Sequence, residues 1–144
     1  MKRLIPLFLL LTFSCSKPLD PNVQKLGTTE VTAQLTEVPA GPFPSNDLYN
    51  YAYVFRYKVL HVHRGKIDGD TIFVGQYNPL KARAKAEDQD SGKVGGDVEQ
   101  FRAGDIHRLA LEAPLDQQWM GGIVDKYFNI KGTRYWAIWT AKAN

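Results

Sequence analysis

The chain has 144 residues, with 18 Lys and Arg against 15 Asp and Glu, and a single cysteine. That length carries one domain with a proper core, and one cysteine excludes an intrachain disulfide. A net charge of +3 is too small to argue for a nucleic-acid partner.

The first fifteen residues read MKRLIPLFLLLTFSC. Lys2 and Arg3 form a basic start, and Leu4 to Leu11 is apolar apart from Pro6. This run is too short to span a bilayer, which needs ~20 apolar residues, and fits the central region of a secretory signal. Cys15 follows the small residue Ser14, and the stretch LTFSC resembles a bacterial lipoprotein signal. The resemblance implies that residues 1–14 are removed and that Cys15 is lipidated as the mature N-terminus. The expected location is a bacterial cell membrane or outer membrane, on the extracytoplasmic side. Ser16, a residue other than Asp after the cysteine, resembles an outer-membrane sorting signal. Loss of Lys2 and Arg3 leaves 16 cations against 15 anions, so the mature domain is nearly neutral.

Residues 15–29 hold Ser, Lys, Pro, Asn, Gly and Thr and read as a polar tether to one domain, 30–144. TEVTAQLTEV, 29–38, alternates Val31, Ala33 and Leu35 against Thr32, Gln34 and Thr36, which predicts a strand. PAGPFPSND is a stiff loop. YNYAYVFRYKVLHVHRG, 49–65, is the strongest β signal, with Tyr51, Tyr53, Phe55, Tyr57 and Val59 on one face. After Val59 the alternation slips, since Leu60 and Val62 are apolar. A bulge near 59–60 is therefore expected, with Val59, Leu60 and Val62 buried and His61 and His63 accessible. DTIFVGQY, 70–77, completes a hairpin.

Residues 78–103 combine a short charged, Ala-containing run, predicted as a weak helix, with a Gly-rich stretch. The segment reads as a mobile contact loop ending in Phe101 and Arg102. GDIHRLALEAP, 104–114, predicts a strand with His107, Leu109 and Leu111 on one face. In 115–132, Trp119, Ile123 and Tyr127 recur at four, as do Met120, Val124 and Phe128, predicting a helix weakened by Gly121 and Gly122. TRYWAIWTAKA, 133–143, predicts a last strand. Five strands and one or two short helices give a mainly β fold, a small OB-like antiparallel five-stranded barrel.

The stretch FRYKVLHVHRGKIDGDTIFV, together with FRAGDIHRLAL, also resembles the netrin and tissue-inhibitor-of-metalloproteinase superfamily of OB folds, over residues 30–112. The resemblance implies an OB barrel. The family's disulfides have no counterpart here. Zinc chelation through a free N-terminal cysteine amine is not carried over, because lipidation would occupy Cys15.

His61 and His63 share a strand face, and with His107 or Asp105 they form a candidate metal set. Asp105 and His107 could also pair as base and orienter. No nucleophile motif accompanies them: Ser45 and Ser91 are the only serines beyond the tether. No phosphate loop and no cofactor motif is present. The remaining candidates are binding residues: Phe101 and Arg102 in the long loop, and Trp136 with Arg134, where a Trp beside an Arg could stack on a sugar ring or a partner, the alternative being that it packs under the 115–130 helix. The function expected is a lipid-anchored binding module whose partner is an envelope protein or polysaccharide. The alternative is an envelope enzyme or metal protein using His61, His63 and His107.

Overall fold

A computed structural model describes residues 26–40 and 49–143. Cys15, the signal and most of the tether lie outside the described residues, as does most of the Pro-rich loop after residue 40. Five long strands carry the fold: β1 (Thr29–Glu37), β2 (Tyr51–Arg64), β3 (Thr71–Tyr77), β5 (Ile106–Glu112) and β7 (Arg134–Lys142). Three short elements join them: β4 (Gly95–Gly96), helix α1 (Leu115–Gln118) and β6 (Gly122–Val124).

The long strands close into a barrel, β1 beside β2, then β3, β7 and β5, which returns to β1. Taken in chain order, the neighbours run first, second, third, fifth, fourth, the connectivity of an OB barrel. The barrel is mixed rather than antiparallel throughout, because β3 and β7 run parallel, Phe73 level with Arg134 and Gly75 with Trp136.

Alternation explains the inner core. Val31, Ala33 and Leu35 of β1, the aromatic positions of β2, and Leu109 and Leu111 of β5 all point inward and are buried. β2 is buried on its other side as well at Ala52 and Val54. There a second cluster covers the outside of β2, β3 and β7, built from Phe73, Tyr77, Leu115, Trp119, Tyr127 and Trp136. Trp119 stacks on Trp136, with ring planes 4° apart and centroids at 6.0 Å. Such aromatic pairs contribute about 0.5–1.5 kcal/mol beyond their buried area.

The slip in β2 is a bulge. Thr32 pairs with His61 but Ala33 pairs with Val59, leaving Leu60 as the extra residue. The expected burial beyond it does not follow: Leu60 is 49% and Val62 37% exposed. β3 accompanies β2 only to Lys58, opposite Thr71. Past Val59 the strand has β1 on one side only and overshoots the barrel interior.

The 115–132 helix is also corrected. One turn forms at Leu115–Gln118, after which β6 pairs in parallel with the start of β2 and residues 126–129 form a turn. Trp119 and Tyr127 are both buried in the outer cluster, but a bend at Gly121, β6 and the turn beginning at Lys126 place them there rather than a helical period. Met120 and Phe128, expected on the apolar face, point into solvent at 88% and 83% exposure. In 78–103 the weak helix reduces to a single 3-10 turn, Arg83–Lys85. The segment is packed rather than free, since Arg83, Ala86, Val94 and Val98 are buried. Gly96 has φ +132°, and a Cβ there would meet the Thr140 carbonyl, so this contact with β7 requires glycine.

Candidate functional site

The three histidines do not form one site. His61 and His63 stand on the overshooting end of β2, exposed, with ring centroids 4.6 Å apart. The His63 Nε2 lies 2.7 Å from Thr32 Oγ1. Partial burial, then the positive charges of Arg108 and His61, hold the His63 pKa below its ordinary value. His107 is inside the barrel at 1% exposure, where its Nδ1 meets Tyr57 Oη at 3.0 Å. Burial lowers its pKa too, against the opposing charges of Asp105 and Asp97. Among the described residues, no group of three or more His, Cys, Asp or Glu side chains is placed to hold a metal ion.

His107 belongs instead to a buried polar cluster. Tyr57 Oη bonds to it and to the Gln76 side chain, and burial pushes the Tyr57 phenol up. Gln76 Nε2 donates to Thr140 Oγ1 at 2.9 Å. Near this cluster lies Arg83, 1% exposed, whose Nη2 donates to the carbonyls of Tyr77, Asn78 and Lys81 at 2.7–3.1 Å. Burial lowers its pKa to about 10, so it stays charged at neutral pH. The guanidinium lies 5.1 Å from the centre of the Phe101 ring. Nothing in the sequence marked Arg83, because it sits in a run of alternating charge that reads as a solvated surface.

The candidate binding residues divide. Trp136 is buried under Trp119 and presents no face to a partner. Arg134 is a loop clamp: its Nε donates to Asp125 at 2.7 Å, and its other nitrogens to the carbonyls of Tyr127, Ile130 and Gly132. Phe101 is half-buried against Phe55 and His107. It also lines a shallow pocket with Val38, Pro79 and Leu80. Arg102 is exposed and its side chain bonds to Gln100 at 2.6 Å.

The accessible tryptophan is Trp139. A pocket of about 350 Å³ is lined by its ring with Ile138, Val94 and Leu26, and by the exposed Glu87 and Lys93. Its volume lies at the small end of ligand pockets, and an apolar wall with a few charged groups is their usual make-up. Gly95 pairs with Trp139 across β4 and β7. A Cβ on Gly95 would approach the ring to 3.0 Å, so the absence of a side chain there lets the indole lie down. The sequence offered two places for Trp136, a stacking platform or a packing position under the segment after residue 115, and the structure gives the second, with Trp119 on its ring. The pairing of β4 beside Trp139 carried no signal in the sequence. No protein-family model, no curated protein and no solved structure matches the chain.

Proposed function

We propose that this chain is a lipid-anchored, extracytoplasmic binding module of the bacterial cell envelope, and that its Trp139 pocket takes a sugar ring of an envelope polysaccharide. The supporting observation is the pocket itself. An indole face suits the apolar C–H side of a sugar, and Glu87 and Lys93 supply an acceptor and a donor for hydroxyls. The face of β2 and β3 that OB barrels present to oligonucleotides and oligosaccharides is covered here by Leu115, Trp119 and Tyr127. Ligand contact is therefore sought beside β4 and β7. The anchor reading draws on the basic, apolar, Ser-Cys order at residues 2–15.

Calorimetric titration of the full chain with soluble envelope-polysaccharide fragments tests the pocket. Wild type should bind, Trp139→Ala should weaken binding at least ~10-fold, and Glu87→Gln with Lys93→Gln should weaken it with an unchanged melting temperature. A silent wild-type titration, or variants that bind like wild type, would reject the sugar reading. A protein partner engages a wider face and would leave the sugar titration silent.

A further inference from the structure

The segment Trp119–Arg134 is held firmly on one side and left bare on the other. Trp119 and Tyr127 are its inward anchors. Trp119 packs on Trp136 and Tyr77, and its Nε1 donates to the Gly122 carbonyl at 3.0 Å. Tyr127 packs on Phe73 with centroids 5.0 Å apart, and its hydroxyl donates to Glu37 at 2.7 Å. Arg134 ties down three carbonyls and Asp125, with its guanidinium 4.5 Å from the centre of the Phe73 ring.

The residue after each anchor turns outward: Met120 at 88% and Phe128 at 83% exposure, with Ile130 and Ile123 also exposed. Tyr49 is 67% exposed. It lies two residues before Tyr51, the first residue of β2 to pair with β6. A clamped loop cannot collapse to hide these side chains. Large apolar side chains exposed together on one short segment mark a contact surface.

Charge identifies the occupant. Asp125 is the segment's only carboxylate and is paired with Arg134. Lys126 and Lys131 remain exposed beside Phe128 and Ile130. Apolar groups flanked by lysines suit the boundary between anionic headgroups and acyl chains. A protein groove offers no general reason for the lysines. Anchored at Cys15, the barrel cannot leave such a surface: eleven residues to Leu26 reach at most ~40 Å.

We propose that the outward side of this segment, Met120, Phe128 and Ile130 with Lys126 and Lys131, is a membrane-contact face that seats the barrel on an anionic phospholipid surface. The proposal rests on the anchored reading above.

A spin label tests it on the full chain isolated from membranes with its N-terminus as found. If Cys15 carries lipid as a thioether, it cannot take the label, so Phe128→Cys and a control, Glu99→Cys, are each labelled uniquely. In vesicles of phosphatidylcholine and phosphatidylglycerol, the label at 128 should lose roughly an order of magnitude of contact with a water-soluble relaxant. The label at 99 should not. Lys126→Glu with Lys131→Glu, high salt, or pure phosphatidylcholine should restore that contact. A label at 128 that stays as wet on vesicles as in solution overturns the face. Labelling of unaltered Cys15 sinks the anchor alone. In that case the label at 128, read on protein mixed with the same vesicles, still decides for or against the face.

Discussion

His107 is an imidazole enclosed by the barrel, bonded to Tyr57 and facing Phe101. The sequence placed it correctly on the face of Leu109 and Leu111. What it left open was whether that face looked inward, and the metal reading depended on the answer. The depressed pKa has a consequence for stability. The folded protein binds fewer protons than the unfolded chain once pH falls below the ordinary histidine value of 6.5, so stability rises with pH across that window. This contribution is complete above 6.5 and is lost as pH falls towards the folded pKa. The steepest slope one proton can give is about 1.4 kcal/mol per pH unit. Urea unfolding at pH 7.5 and 5.5 should show wild type weaker at the lower pH, and His107→Gln should flatten the difference. The same shift in His63 acts in the same direction but less, because His63 is exposed; His63→Gln serves as the control. An unchanged slope in His107→Gln would mean the imidazole titrates freely.

At the scale of elements, strands were legible and their covering was not. Period-two alternation located all five long strands to within two residues at each end, because each sends alternate side chains into the barrel core over much of its length. The outer layer has no period. It is fixed by single contacts between distant residues: Arg83 on the carbonyls after β3, Trp119 on Trp136, and Tyr77 Oη donating to Asp88 at 2.8 Å. Burial alone would raise the Asp88 carboxyl. Hydrogen bonds from Tyr77 and from the backbone of Ser91 and Asp90 outweigh it and hold the pKa below its ordinary value. The expected freedom of the 78–103 segment gives way to packing, because glycines were read as mobility, whereas Gly96 is a close approach to β7. The layer should therefore fail when its pin is removed. Arg83→Met removes the donor to the carbonyls of Tyr77, Asn78 and Lys81; the Asn78 carbonyl keeps the Lys81 N–H, and a buried acceptor left unsatisfied costs ~1–3 kcal/mol. A loss of about 1–3 kcal/mol is expected in denaturant unfolding, with faster amide exchange across 78–98. An Arg83→Met protein as stable as wild type would show that water replaces the guanidinium without cost.

At the scale of the whole molecule, one pair of neighbouring barrel strands, β3 and β7, is parallel. No residue in β3 or β7 announces it, since parallel and antiparallel partners make the same demand for buried alternating side chains. It follows from the path of the chain: the segment after β5 must cross the outside of β3 before β7 begins, and that crossing deposits the outer aromatic cluster. The crossing also builds the clamped Trp119–Arg134 segment, so topology creates the exposed apolar face. The N-terminal chemistry decides whether a membrane lies within its reach. If residues 1–14 are a lipoprotein signal, protein extracted from membranes begins at Cys15 and is heavier than the polypeptide 15–144 by its acyl groups. Neutral hydroxylamine, which cleaves thioesters, should leave that mass in place, because the glyceryl link to sulfur is a thioether and its acyl chains are oxygen esters. Cys15→Ser should block processing and leave a chain beginning at Met1. An unmodified Cys15, or a mature N-terminus at any other residue, would show that the leader is of another kind. The barrel would then meet membranes only through its own face.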